Sequence, residues 1–270
     1  MKLTYLGTSA AEGFPALFCN CKNCRVAKEL GGKNIRTRSQ SIINDDLLID
    51  FPPDTHYHFF HNKIEADRIK YLIITHGHVD HFYPSDLMRK RHPYAWEMRE
   101  PTLRLVCSET LASGLDLTDK NIELTVIKEF ETVEVGDYSI TALPARHMPG
   151  GEAFIYIIKS EGKTLLYGND TGYFYDSVFK YVEDNSIVFD MISLDCTNID
   201  FPIEDTSGHM GFPNIERVLK RLSDIGASTP ETPKYLNHFS HKGNPLQEAL
   251  EEQAKPYGCH IAYDGCAVEI

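Results

Sequence analysis

Short apolar runs separated by polar and turn-forming residues recur along the chain. Leu3 to Leu6, Leu47 to Ile49, Tyr71 to Ile74, Leu103 to Val106, Tyr138 to Leu143, Phe154 to Ile158, Thr164 to Tyr167, Met191 to Leu194, Tyr235 to Leu236 and Ala267 to Ile270 each predict a strand. Runs of this length bounded by turn signals suit buried strands. Ser160-Glu161-Gly162-Lys163 predicts a hairpin joining two of them. Helical period appears late, where Ile215, Val218, Leu219 and Leu222 precede Gly226, the expected C′ residue. Asn244 and Pro245 predict the N-cap and first residue of another helix, which Pro256 closes. Ser228 to Pro233 reads as loop, and His56, His58 and His61 fall on a helix face or loop without an assigned role. Strands interrupted by occasional helices predict an α/β protein with two sheets and outer helices. With no repeat or interdomain linker, the expectation is one domain over residues 1–270.

Composition narrows the function. At 42% hydrophobic the chain can bury a substantial core. No apolar run approaches the ~18 residues of a membrane span, and the first residues read as a strand, so a cytoplasmic protein without a membrane partner is expected. Against 27 Lys and Arg stand 39 Asp and Glu, a formal charge of −12. That balance argues against broad contact with nucleic acid. Met88-Arg89-Lys90-Arg91-His92 is the local exception, read as a solvated helix face that could also attract an anion.

The chemistry concentrates at Thr75-His76-Gly77-His78-Val79-Asp80-His81, four potential metal ligands directly after an apolar run. Residues two apart in extended chain point the same way, so His76 and His78 can share one ion, while a turn at Val79 aims Asp80 and His81 at a second. Solvated surface histidines are the alternative. His147, Asp170 and His238 each end a predicted strand and could complete a paired-metal site, Asp170 as the bridging carboxylate. Two cations sharing an oxygen lower its pKa, so a bridging hydroxide becomes available as nucleophile near neutral pH. Cys19, Cys21 and Cys24 form C-x-C-x₂-C, and His241 can supply the fourth ligand of a structural Zn²⁺. Free thiols or a redox pair are the other options. Cys107, Cys196, Cys259 and Cys266 read as ordinary buried thiols.

On these motifs, together with Leu6-Gly7-Thr8-Ser9, Leu48-Ile49-Asp50 and Tyr263-Asp264-Gly265, the chain resembles the metallo-β-lactamase superfamily nearly end to end. The resemblance implies a four-layer αβ/βα sandwich. It also implies that His76, His78 and His147 hold one metal and Asp80, His81 and His238 the other, Asp170 bridging, with two Zn²⁺ or Mn²⁺ as the catalytic ions. The Cys₃His set is similar to that of the PhnP phosphodiesterases. His209, in Gly208-His209-Met210-Gly211, resembles their histidine for phosphodiester cleavage and is the expected general acid; Asp80 counts with the catalytic residues, and so does Asp195, as the residue that orients His209. A purely structural Asp195 is the alternative. The implied activity is dinuclear metal-dependent hydrolysis of a small phosphodiester, such as a 2′,3′-cyclic nucleotide or 5-phosphoribosyl 1,2-cyclic phosphate, and a homodimer is implied too. Two further resemblances compete. The tRNA 3′-processing enzymes carry a long arm between the equivalents of His147 and Asp170, whereas Met148 to Asn169 leaves room only for a turn, a strand, a hairpin and a strand. The PqqB proteins of quinone-cofactor synthesis share the fold and cysteine-bound zinc as non-hydrolytic accessories, against which the full ligand set and His209 argue.

Overall fold

The computed structural model describes residues 1–117, 121–148 and 151–270. The first six strands are β1 (Lys2–Gly7), β2 (Gln40–Ile43), β3 (Leu47–Ile49), β4 (Tyr71–Ile73), β5 (Leu103–Cys107) and β6 (Ile122–Val126). They are followed by β7 (Thr132–Val135), β8 (Tyr138–Pro144), β9 (Phe154–Ser160), β10 (Lys163–Gly168), β11 (Met191–Asp195), β12 (Lys234–Asn237), β13 (His260–Ile261) and β14 (Cys266–Glu269). Two seven-stranded sheets result, ordered β14-β1-β2-β3-β4-β5-β6 and β13-β12-β11-β10-β9-β8-β7. The helices are α1 (Lys22–Leu30), α2 (Thr55–His61), α3 (Pro84–Leu87), α4 (Glu109–Ser113), α5 (Asp176–Asp184), α6 (Phe212–Asp224) and α7 (Gln247–Ala254).

Alternation along the strands builds the layers. Leu3, Tyr5, Ile49 and Ile73 of one sheet meet Tyr138, Ile140, Leu165 and Tyr167 of the other in a shared core. Leu166, Ile192 and Leu194 face outward under Val178, Ile215 and Val218 of α5 and α6. On the far side Ile42, Leu72 and Leu105 pack with Leu87 and Phe59 of α3 and α2. The result is helix, sheet, sheet, helix, the expected four-layer sandwich. Strands buried on both faces lack polar alternation, which is why they read as continuous apolar runs.

All ten predicted strands are present, but β2, β6, β7 and β13 were not anticipated. β6 and β7 are sheet edges with mostly solvent-facing residues, and β13 has two residues. β2 opens on Gln40, a polar residue buried because its amide donates to Asp50 O and Thr55 Oγ1. The hairpin is as predicted, with Glu161 (φ +53°) and Gly162 (φ +72°) turning between paired Ser160 and Lys163. Gly226 (φ +74°) closes α6 while Ala227 N–H returns to Leu222 O at 2.8 Å. Two expectations fail. The last helix begins at Gln247, not Pro245, and its first N–H is capped from afar by Asn34 Oδ1 at 2.9 Å. Met88–His92 is not a helix face but a run of turns beyond α3. The turn expected just after His147 includes Pro149 and Gly150, outside the described residues; β9, the hairpin and β10 fill the rest of that interval. No described helix is long and apolar enough to cross a membrane.

Candidate metal centre

The site lies where strands of both sheets end. β3 runs into Asp50, β4 into the loop carrying His76 to His81, β8 into His147, β10 into Asp170, β11 ends on Asp195, and β12 runs into His238. Asp50 (φ +67°), Asp170 (φ +54°) and His238 (φ +64°) adopt left-handed backbone. Such conformations cost a non-glycine residue energy and cluster at functional sites. Here each turns the chain sharply at a buried strand end.

The histidine nitrogens fall into an inner and an outer set. Inside, His78 Nδ1 lies 3.0 Å from His76 Nε2 and 2.9 Å from His147 Nε2, and His81 Nε2 lies 3.2 Å from His238 Nε2. Outside, His81 Nδ1–H donates to Asp50 Oδ2 at 2.7 Å, and His147 Nδ1–H to Gly208 O at 3.0 Å. His76 Nδ1 contacts Thr75 Oγ1 at 3.0 Å and His238 Nδ1 contacts Thr197 Oγ1 at 2.7 Å. In neutral rings with the outer nitrogens protonated, the inner nitrogens present lone pairs, and lone pairs cannot bond one another. Two nitrogens on one tetrahedral ion at ~2.05 Å would be about 3.3 Å apart, close to the spacing found. Outer acceptors that fix the tautomer are the usual support of metal-bound imidazoles.

Asp170 sits among these rings. Its Oδ2 is 2.9 Å from His81 Nε2, 3.2 Å from His76 Nε2 and 3.5 Å from His238 Nε2. Its Oδ1 is buried and accepts no hydrogen bond, although His147 and His209 nitrogens stand 3.2 and 3.0 Å away. A buried carboxylate oxygen without a well-directed donor is suited to accept a cation. Two groupings have metal-ligand proximity here: His76, His78, His147 and Asp170, and Asp80, His81 and His238. Burial above all pushes His76, His78, His147 and His238 below the ordinary imidazole range. Burial opposes an ionised Asp170, but the surrounding imidazoles outweigh it and hold the carboxyl well below its usual range. The donor set is therefore largely deprotonated, as metal binding requires. His81 is the exception, raised despite burial because Asp50 and Asp170 flank it.

His209 enters from the loop before α6. Its Nδ1 lies 3.0 Å from Asp195 Oδ2, leaving Nε2 for the pocket. Asp195 is fully buried and also accepts from Thr197 N–H at 3.0 Å, Thr197 Oγ1 at 2.9 Å and Met210 N–H at 2.9 Å. Burial alone would lower the His209 pKa, but Asp195 and Asp170 raise it to about 10. Asp195, Asp170, His209 and His238 also lie close enough to form a third grouping, so His238 is common to two. The loop is tightly seated, since a Cβ on Gly172 would stand 1.8 Å from Ser207 O.

The thiols gather as the spacing predicts. His241 Nδ1 lies 3.9 Å from Cys21 Sγ and 3.8 Å from Cys24 Sγ, and Cys19 completes the cluster. A nitrogen and a sulfur on one tetrahedral zinc would be about 3.6 Å apart. The Cys24 N–H and then His241 stabilise the Cys21 thiolate, taking its pKa down to about 6. The neighbouring chain is clamped, with Phe239 N–H donating to Thr8 O, Ala10 N–H to Phe239 O, and Ser240 Oγ to Glu12 Oε1 at 2.5 Å. Thr8, Ala10 and Ser9, whose Oγ donates to Phe239 O at 3.1 Å, thus hold the segment that carries both His238 and His241.

A pocket of 520 Å³ opens over His78, His147, Asp170, His209 and His238 and reaches His241 and Lys242. Every residue singled out from the spacing lies in one of these clusters. His56, His58 and His61 lie apart on α2. Asp50, Thr75 and Thr197 were missed as supporting residues, although each follows a buried strand just as the ligand candidates do.

Comparison with known proteins agrees with this geometry. A family model described as "Beta-lactamase superfamily domain" matches residues 46–239. The "Coenzyme PQQ synthesis protein B" of Acinetobacter baylyi is 23% identical over 316 residues, covering 100% of both chains. A solved diphosphatase from the PhnP family is similar at TM-score 0.74 and 20% identity, over 100% of this chain and 97% of that one. Zn²⁺-bound PqqB from Methylobacterium extorquens is similar at TM-score 0.72 and 16% identity, over 100% of both.

Proposed function

The chain belongs to the beta-lactamase superfamily, and on that premise we propose that it is a metal-dependent phosphodiesterase acting on small phosphodiesters. His76, His78 and His147 would hold one Zn²⁺ or Mn²⁺, and Asp80, His81 and His238 the other, with Asp170 between them. Two cations bound there would supply Lewis acidity toward the phosphoryl group and lower the pKa of water to the neutral range. Cys19, Cys21, Cys24 and His241 would hold a structural Zn²⁺.

The observation that carries the reading is His209, which lines the pocket over the cluster with its Nδ1 3.0 Å from the buried Asp195 Oδ2. A histidine whose Nδ1 rests on a buried carboxylate is favoured in its protonated form and is equipped to give a proton from Nε2. Cleaving a phosphodiester expels an alkoxide, which needs that proton. Asp195 supports the imidazolium and fixes its ring; Asp80 serves as a ligand at the reacting edge. The short passage from His147 to Asp170 is occupied by β9, the hairpin and β10, which favours small diesters over tRNA.

The full-length likeness to coenzyme PQQ synthesis protein B favours a second reading, an accessory role in making a quinone cofactor. One experiment separates the two. Metal-quantified protein is assayed with 2′,3′-cyclic nucleotides, cyclic ribose phosphates, linear diesters and pre-tRNA. Hydrolysis of small diesters with pre-tRNA left intact is expected; a metal-replete protein inert toward all four would leave the accessory role standing.

A further inference from the structure

The pocket over the metal cluster continues beyond it. A neighbouring depression of 540 Å³ shares Ala11, Glu12 and His241 with it, so the two form one trough. Its far end is lined by Leu17, Phe18 and Arg38. Phe18 is 98% exposed and Leu17 73%. They stand on a turn fixed at both ends: Ala16 N–H donates to Cys24 Sγ at 3.4 Å and Cys19 N–H to Ala16 O at 3.0 Å. Single exposed apolar residues are common and need no explanation. This pair differs in place, because it is held by the thiol cluster at the end of a trough leading to the candidate reaction centre. Among the described residues lining that trough, Phe18 alone has a six-membered aromatic face.

Resting on the phosphodiesterase reading, we propose that Leu17 and Phe18 are the platform on which the base of a nucleotide diester stacks while its phosphate lies at the metal cluster. The substrate class is then a nucleoside phosphodiester, not a sugar phosphate without a base. Every nucleobase has a π-face, so such a platform is tolerant of base identity. Glu12 stands between the two ends, its Oε1 fixed by Ser240 Oγ at 2.5 Å and His241 N–H at 3.2 Å, where the sugar hydroxyls of a nucleotide would pass and donate to the carboxylate. The Arg38 guanidinium borders the platform, held by Asp54 Oδ1 at 3.0 Å and Ala11 O at 3.0 Å.

The test compares thymidine 5′-(4-nitrophenyl phosphate) with methyl 4-nitrophenyl phosphate, which share a leaving group and differ in the nucleoside, and the Phe18 variants isolate the contribution of its base. In the metal-replete full chain, Phe18→Ala should raise KM for the nucleoside ester about 5-fold to 150-fold, with kcat, metal content and the methyl ester within about twofold, and Phe18→Trp should restore it. Calorimetric affinity for thymidine monophosphate should weaken by the same factor. Equal effects on both esters, or none, would overturn the platform, as would a change confined to sedimentation, which would mark a subunit contact. If the wild type cleaves neither ester nor any of the cyclic and linear diesters above, the phosphodiesterase reading falls on its own; the monophosphate titration still decides the platform, since equal affinity in Phe18→Ala refutes it.

Discussion

Replacing Asp50 by asparagine alters one atom and one charge, and the surroundings determine the outcome. Asp50 Oδ1 accepts from Thr75 N–H at 2.8 Å, Oδ2 accepts from His81 Nδ1–H at 2.7 Å, and the Thr75 hydroxyl is shared between the two oxygens at 2.9 and 3.0 Å. An asparagine keeps its single oxygen on the Thr75 N–H, a backbone donor that cannot give up its proton or turn away as an imidazole can, and so turns its NH₂ toward His81 Nδ1. Two donors then face each other at a contact of about 2.7 Å, in a site where Asp50 is 1% exposed. His81 escapes by moving its proton to Nε2, the atom 2.9 Å from Asp170 Oδ2 and 3.2 Å from His238 Nε2. That tautomer has no lone pair for an ion. Losing a hydrogen bond to a charged group costs about 1.5–3 kcal/mol, or about 10-fold to 150-fold in affinity at the ion shared with Asp80 and His238. Loss of an outer partner of a metal-bound histidine commonly costs 10-fold to 100-fold, so the two figures agree. Competition with a chromophoric chelator, read beside elemental analysis and circular dichroism, gives the answer. Asp50→Asn should keep its fold and its thiol-bound zinc while one catalytic ion weakens; an affinity within about twofold of wild type for all ions would refute the tautomer argument.

Four other substitutions probe the same geometry. Cys21→Ser should lose the thiol-bound zinc, lower the melting temperature and reduce catalytic metal content together, because the 238–241 segment is shared; unchanged melting and full occupancy would show the two sites to be independent. His209→Ala should retain its metals and lose about 10²-fold to 10⁴-fold in kcat on alkyl diesters, far more than on nitrophenyl esters, and equal losses on both would remove it as the acid. Gly172→Ala must push Ser207 away from the 1.8 Å approach, and a shift of ~1 Å in the His209 loop should cost about 10²-fold in kcat; an unimpaired variant would mean that loop position does not matter. Burial takes His58 from 6.5 down to about 4, so the unfolded chain protonates first: stability is complete above about pH 6.5 and is lost as pH falls toward 4, by ~1.4 kcal/mol per unit and ~3 kcal/mol in all. In urea titrations with EDTA present, His58→Gln should flatten that slope, and an identical slope in both proteins would place the acid sensitivity elsewhere.

The sandwich was legible because its central strands are buried on both faces and so carry unbroken apolar runs. Edge strands β6 and β7 escaped because burial on a sheet edge is decided by neighbours that no local pattern reveals. The ligand candidates were legible for a chemical reason: His, Asp and Cys at tight spacing are rarely placed together for packing. Their supports were harder, since Asp50 meets His81 across 31 positions and Thr197 meets His238 across 41, and a threonine after a strand is unremarkable in itself. His58 shows the converse, a histidine at suggestive spacing with His56 and His61 whose nitrogens are taken by Gln40 Oε1 at 2.6 Å and Thr37 Oγ1 at 2.7 Å.

Position, more than residue type, unites the site. Asp50, Asp170 and His238 each follow an apolar strand and each take a left-handed backbone, a conformation worth about 1–3 kcal/mol of strain apiece. Glycine would relieve that strain at all three places and would be the stabilising choice if the turn alone mattered. The chain instead keeps a carboxylate, a carboxylate and an imidazole there, each with an atom in the histidine cluster. Strained backbone bearing a metal-ligating or ligand-supporting side chain at three converging strand ends is what a functional centre requires and a folding core does not. A search of the sequence for polar residues within three positions after buried strands, without regard to their type, finds Asp50 together with Asp170 and His238.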